Sequence, residues 1–411
     1  MIDNYTRWQK DNIQKAMQTR RVLLLSGIRQ CGKTTLAKEL IDEGTEYRTL
    51  DDVTLKKAAE NDPHGFVQHN KRTLIIDEVQ RVPDLLPAIK KVVDEDRRPG
   101  QFLLTGSANI QELPGVQESL AGRITKLRLR PLTLGEQNGA SPQFIDKVFS
   151  NSLEKPAVHF DKNTLIDMAS FGGFPEAILL EGRQRKRWHT DFIDAILERD
   201  LKDVTRIHRL DQMQKLIKIL AAWSSKFMNT SQIGSTLSLK SQALNAYINA
   251  LEVLYLIDRV KPWTNTDYDR VGKQDKLFMT DSGLMASLLG WNMDQVKLDT
   301  DRSGKLIETF AFNELVSQID TSDGLYQLWH YRDRQQREID FLVEREDGAM
   351  IGIEIKAGTN IGSNDFRHMK WFQETLVHDR PFKGIILYSG EHIASFGDDM
   401  IAVPFGALFG K

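Results

Sequence analysis

The sequence predicts an α/β protein in three successive parts: a parallel-sheet domain, a helical middle and a second α/β domain. Three observations carry this. Short unbroken apolar runs, RVLLLS at 21–26, TLII at 73–76 and FLL at 102–104, alternate with helical stretches early in the chain; unbroken runs mark strands buried on both faces, as in a parallel sheet. From about 160 to 257 the apolar spacing turns helical. From about 305 onward a helix leads into strands, with glycine turns near 324, 348 and 358.

Size and composition fit this division. The chain has 411 residues, 40% of them apolar and 27% charged, and 55 Lys and Arg stand against 57 Asp and Glu for a net charge of −2. That length suggests two or three domains. No overall basic excess advertises nucleic acid, so such a contact would have to be a local patch. A single cysteine excludes an internal disulfide and a cysteine-based zinc site. No apolar stretch approaches the roughly 20 residues of a membrane span, and the polar start MIDNYTRWQKDNIQ does not read as a signal peptide. A cytoplasmic protein is the expectation.

In chain order, residues 8–18 read as a helix, 21–26 as a strand, 33–40 as a helix and 47–51 as a strand. A helix over 84–95 separates the strands at 73–76 and 102–104, and TKLRLR at 125–130 is a further strand running to Pro131.

Between the first strand and its helix lies GIRQCGKTT, Gly27 to Thr35, which matches G-x-x-x-x-G-K-[ST] at every fixed position. Strand, glycine loop and helix is the context a phosphate loop needs. Backbone N–H groups of Gly27, Ile28, Arg29, Gln30, Cys31, Gly32, Lys33, Thr34 and Thr35 are the candidate nucleotide cradle. Lys33 supplies a cation to the β- and γ-phosphates, and Thr34 a hard oxygen for Mg²⁺. Cys31 fills a variable position and makes the loop a candidate for sensitivity to thiol oxidants. TLIIDEVQ at 73–80 ends its strand in Asp77, placed to hold Mg²⁺, and Glu78, placed to orient or deprotonate an attacking water. Ser107 or Asn109, ending FLLTGSAN, is a candidate γ-phosphate sensor; a simple turn reads the same way. Arg123, in LAGR, is either an arginine finger for a neighbouring subunit or a surface arginine.

Together GIRQCGKTT, LIIDEVQ, LLTGSAN, ESLAGRI and PLTLGE resemble a prokaryotic AAA-type P-loop ATPase family related to archaeal and signal-transducing ATPases. GGFPEAI (172–178), LERDLKDV (197–204) and KLFMTDSGL (276–284) are also similar to that family, so the resemblance covers nearly the whole chain. It implies ATP, Mg²⁺ and self-association into a homo-oligomer, and a C-terminal domain without a settled substrate. The expected domains are an ATPase core at 1–158, a helical lid and winged-helix-like part at 159–298, and a C-terminal domain at 299–411.

In the middle part, DQMQKLIKILAAWS (211–224) carries the stripe of a buried helix, and a short helix, a long helix and a basic strand follow. This order reads as a winged helix. The long helix would present Lys240, Gln242, Asn245 and Asn249, and Arg259, Lys261, Arg270, Lys273 and Lys276 would suit phosphate contacts on DNA. A structural lid on the ATPase is the competing reading. The basic run GRQRKRW (182–188) reads as a solvated helix face.

The C-terminal stretch EIDFLVEREDGAMIGIEIKAG (338–358) holds Asp340, Glu354 and Lys356 in a D…E-x-K pattern. Strand parity puts Glu354 and Lys356 on one face. A three-residue turn, Glu346-Asp347-Gly348 with a left-handed glycine, sets Asp340 opposite Glu354 and Glu338 opposite Lys356; a two-residue turn would send Asp340 to the other face. The first register is predicted. With Glu308 from the preceding helix, these carboxylates would hold Mg²⁺ or Mn²⁺, and Lys356 would orient or activate a water. The arrangement is similar to the PD-(D/E)xK nuclease core, a restriction-endonuclease-like fold, although Ile339 stands where the pattern has proline. Two functions remain open: an ATPase coupled to a DNA-directed nuclease domain, or a regulatory ATPase whose C-terminal domain only binds nucleic acid or protein. A small-molecule kinase is disfavoured, because adjacent Asp77 and Glu78 suit attack by water.

Overall fold

In the computed structural model, which describes residues 5–107, 122–201, 209–265, 273–322 and 324–410, five parallel strands make the first sheet. They are β1 (Val22–Ser26), β2 (Thr45–Thr49), β3 (Thr73–Asp77), β4 (Phe102–Gly106) and β5 (Ile124–Arg128), in the order β2-β3-β4-β1-β5. The three apolar runs are the inner strands, buried at every residue. The outer strands are half-exposed, which is why TEYRT carries no apolar run and its strand starts two residues before the predicted 47–51. Alternate residues serve two cores: Val22 and Leu24 pack under the Leu85–Glu95 helix, while Leu23 and Leu25 join the large core shared with the rest of the chain. β1 lies beside β4, so a crevice opens at the C-terminal ends of β1, β3 and β4, where open α/β sheets bind ligands. The phosphate loop, Asp77 and Ser107 all sit there.

The middle begins with the helices Lys162–Phe171 and Gly182–Ala195, and the second of these runs on into a π-helical turn, Ile196–Asp200. Two motifs from the sequence meet here for packing reasons. Asp281, which caps the Ser282–Leu288 helix, also accepts the Gly173 N–H at 2.6 Å. A Cβ on Gly173 would lie 2.0 Å from the Leu132 carbonyl oxygen, so GGFP can close on PLTL only with glycine there. The helix Leu210–Ala222, β6 (Lys226–Phe227), the helices Thr230–Leu237 and Ser241–Val253, β7 (Ile257–Pro262) and β8 (Lys276–Met279) follow.

These short strands do not end the middle part as a separate unit. β7 runs parallel to β9 (Tyr326–Arg332), pairing Lys261 with Trp329 and Pro262 with His330. With β10 (Glu338–Arg345), β11 (Met350–Lys356), β12 (Phe382–Tyr388), β13 (Ala394–Ser395) and β14 (Met400–Pro404), one nine-stranded sheet runs in the order β13-β14-β12-β11-β10-β9-β7-β8-β6. The expected boundary at 298/299 therefore falls inside a shared sheet. The first domain is fastened to it by Arg128 and Arg130, which both pair with Asp258, and by Arg130 with Asp320 at 2.6 Å. Tyr255 donates its hydroxyl to Ser26 Oγ at 2.9 Å, at the foot of the phosphate loop.

Candidate active site

The loop after β1 is forced into its path by contact. A Cβ on Gly27 would lie 2.1 Å from the Leu129 carbonyl oxygen, and Gly32 takes a left-handed φ of 102° as the residue ahead of the Lys33–Glu39 helix. Lys33 is 4% exposed, and its Nζ donates to the Gly27 and Ile28 carbonyls at 2.9 Å each. The Thr34 hydroxyl donates to both oxygens of Asp77, at 3.2 and 3.1 Å. A hydroxyl and a carboxylate in contact beside a cradle of N–H groups fit a hard cation carried in with a triphosphate. Around them lies a cleft of about 320 Å³, lined among others by Tyr5, Arg7, Arg29, Glu78, Arg81 and Pro175.

Asp77, 1% exposed, is held by more than the sequence disclosed. It accepts from Tyr47 at 2.9 Å and from Thr105 at 2.5 Å. Burial, and then the bond to Asp77, raises the Tyr47 hydroxyl well above its ordinary range, so it stays a donor. Glu78 has a left-handed φ of 61°, a costly conformation for a residue with a side chain and one that clusters at functional sites. Its N–H donates to Thr105 Oγ1 at 3.1 Å, which fixes the turn. Gln80 ties Glu78 to Ser107, donating to the Glu78 carboxylate and to Ser107 Oγ at 3.0 Å. Glu78 and Ser107 are thus brought together; Asn109 lies outside the described residues.

Arg7, Tyr47, Gln80 and Thr105 were missed from sequence. Arg7 braces the loop from behind, donating to the Cys31 carbonyl at 2.7 Å, the Arg130 carbonyl at 2.6 Å and Glu136 at 3.1 Å. A lone arginine ahead of a helix gives no signal for this; Thr105, at the end of an apolar strand facing Asp77, offered one.

One expectation about the first domain is corrected, and a second residue is placed. Cys31 is fully buried, with Sγ 3.4 Å from the Leu129 carbonyl, so ready attack by thiol oxidants is not expected. Arg123 lies just before β5, about 20 Å of strand away from the start of the loop. Its guanidinium pairs with Asp94 at 2.5 Å. A finger role would require it to leave Asp94 and serve another subunit.

In the C-terminal domain the hairpin takes the predicted register. Phe341 lies opposite Ile353 and Glu344 opposite Met350, and Gly348 is left-handed with φ 83°. Phe341–Ile353 is the last pair of this ladder, one residue short of Asp340 and Glu354. There the ladder gives way, and the Asp340 carboxylate accepts the Ile355 N–H at 3.0 Å. A bulge between Ile339 and Leu342 against β9 re-aims this stretch. What fills the cluster was not foreseen. Lys276, expected on a DNA-facing wing, is 1% exposed, and its Nζ lies 2.6 Å from Glu308, 3.2 Å from Glu338 and 2.9 Å from Asp340. Among the described residues no three His, Cys, Asp or Glu side chains are placed to hold a metal ion. Of the expected metal set Glu308, Asp340 and Glu354, the first two are paired here with a lysine from β8. Lys356 leans 3.6 Å from Asp365. Glu308 and Glu354 are each pushed up to about 8, first by burial; Lys276 opposes the rise in both, and Asp340 adds to it.

On the proposed DNA-facing helix Lys240, Gln242, Asn245 and Asn249 are exposed. Arg259 is turned to Glu252 and Asn249, and Arg270 lies outside the described residues.

Residues 19–138 match the family model described as an AAA domain, and this supports an AAA-type ATPase core. Residues 162–295 and 303–408 match two models, each described as a domain of unknown function (DUF8612 and DUF4143). An uncharacterized protein of Mycobacterium tuberculosis is 26% identical over 395 residues, covering 95% of this chain and 82% of that one. An uncharacterized protein of Haemophilus influenzae is 21% identical, covering 84% and 85%. Among solved structures, a RuvB variant of Thermotoga maritima is 18% identical over 61% of this chain and 88% of that one, with a TM-score of 0.27. A signal-transduction ATPase with a tetratricopeptide-repeat sensor from Pyrococcus horikoshii is 12% identical over 77% and 47%, with a TM-score of 0.25. No helix among the described residues is long and apolar enough to cross a membrane.

Proposed function

We propose that this chain is a Mg²⁺-dependent ATPase that uses its hydrolysis cycle as a switch. The observation that carries the reading is the joint placement of Lys33, Thr34, Asp77 and Glu78 around one cleft. Thr34 and Asp77 would hold Mg²⁺, which when bound spreads the charge of the phosphates. Lys33 would leave the loop carbonyls for phosphate oxygens. Glu78, steered by Gln80, would hold the attacking water and take its proton, with Ser107 beside it. Replacing Glu78 by Gln keeps the cleft and removes the base. Turnover is expected to fall by roughly 10²–10⁴-fold while ATP affinity stays near that of the parent chain. Steady-state phosphate release and ATP titration check this together, and turnover at the parent rate would sink the assignment of Glu78.

A second question is what the C-terminal domain does. Helix, three strands, helix and strand, with Glu308, Asp340 and Glu354 on neighbouring elements, support the likeness to a nuclease core. The Lys276 ammonium among these carboxylates favours the non-cleaving reading, a domain that binds a nucleic-acid or protein partner under control of the ATPase. Plasmid DNA incubated with the chain and Mn²⁺ should therefore stay supercoiled. Nicking that disappears in Glu354→Ala would restore the nuclease reading. Homo-oligomer formation belongs to this proposal too, since AAA-type resemblance implies it.

A further inference from the structure

Arg29 stands two residues after Gly27 at a variable position of the loop, and its side chain lines the nucleotide cleft. Its Nη1 is bonded at 2.7 Å to Asp200 Oδ1. Asp200 is 7% exposed and ends the π-helical turn Ile196–Asp200, which continues the Gly182–Ala195 helix of the middle part. Such turns are rare and are frequently found at functional sites. The same part of the chain reaches the cleft again through Pro175 and Glu176, and Glu176 accepts from Trp188 of that helix at 3.0 Å. A charged pair on the wall of the cleft therefore joins the glycine loop to the helix that leads onward.

We infer that Arg29 is a second phosphate-binding cation, shared between Asp200 and the nucleotide, and that its transfer reports ATP to the middle part. The inference rests on the ATPase reading above. The chemistry favours a transfer. A triphosphate offers several charged oxygens where Asp200 offers one carboxylate, and a guanidinium binds phosphate in a fork. Arg29 remains paired in either position, so the exchange strands no charge on it. Asp200 gives up its arginine, and the π-helical turn gives up its anchor on the loop. Binding energy at the phosphates thereby reaches the helix without any contact between helix and nucleotide.

This makes an unusual demand on mutants: removing the acid should improve ATP binding. A receptor whose competent form is only part of the population binds more tightly when the competing arrangement is removed. For the full-length chain titrated with a fluorescent ATP analogue and Mg²⁺, Asp200→Asn should lower Kd about threefold or more. Arg29→Ala should raise it by roughly tenfold, the size of a lost charged hydrogen bond, and Arg29→Lys should recover part of that loss. In the double variant Asp200→Asn should bring no gain, because nothing is left to release. Deuterium exchange over 196–201 should rise on ATP addition in the parent chain and stay level in Arg29→Ala, a readout that does not depend on the fold tolerating Asp200→Asn. Unchanged or weaker ATP binding by a folded Asp200→Asn chain overturns the inference alone, as does a gain that persists without Arg29. Failure of the parent chain to bind ATP at all overturns the ATPase reading and this inference with it.

Discussion

Lys33→Ala should reduce ATP turnover by at least roughly 10²–10³-fold, the loss seen when one preorganised donor to a developing anionic charge is removed. Lys33 is the group in this cleft best placed to neutralise phosphate oxygens. It is 4% exposed, and loop carbonyls at 2.9 Å hold it at the mouth of the cradle. The substitution leaves the Gly27 turn against Leu129 and the Arg7 brace in place, so the fold should persist. ATP hydrolysis assayed beside a thermal melt separates the two effects. A folded variant that turns over ATP normally would mean that the cleft is not the hydrolytic site.

The second large effect belongs to Lys276. Removing one partner of a buried charge group costs about 3–5 kcal/mol, because the remaining charges lose their compensation. Lys276→Ala should sit near the low end, about 3 kcal/mol, since Glu308 and Asp340 keep 16% and 18% of their side-chain exposure. The loss should also depend on pH. Glu308 and Glu354 are raised from 4.5 to about 8. Between these values the folded chain binds more protons than the unfolded one. Their contribution is complete below the unfolded value and is lost as pH rises through about 8. Lys276 restrains that rise, so the variant should lose more stability at pH 9 than at pH 6. Urea unfolding at the two pH values measures this. Equal, small losses at both would show that the ammonium does not compensate the cluster.

These two lysines mark how far the sequence could be read. Lys33 was legible because a phosphate loop is local: fixed spacing, one strand and one helix suffice. The inner strands were legible because a strand buried on both faces must be apolar throughout, and the hairpin register followed from counting residues across a turn that needs one left-handed glycine. Lys276 was misread because its partners are 32, 62 and 64 residues away and its neighbours Arg259, Lys261 and Lys273 suggested a basic surface. Its parity with Phe278 in a four-residue strand buried throughout was the available clue. Arg29 and Asp200 lie 171 residues apart, and no local pattern joins them. Arg7 and Gln80 act through carbonyls and amides, which leave no imprint on spacing.

The ladder between β7 and β9 has a practical corollary for anyone dividing this polypeptide. A fragment stopped at 298 would carry an unsealed flank along Lys261 and Pro262 and a buried ammonium with no counter-charge, while its complement would hold three acids crowded without relief. Neither half is expected to behave as a soluble surrogate for the parent, so assays of the last hundred residues or so should retain the segment from Leu210 onward.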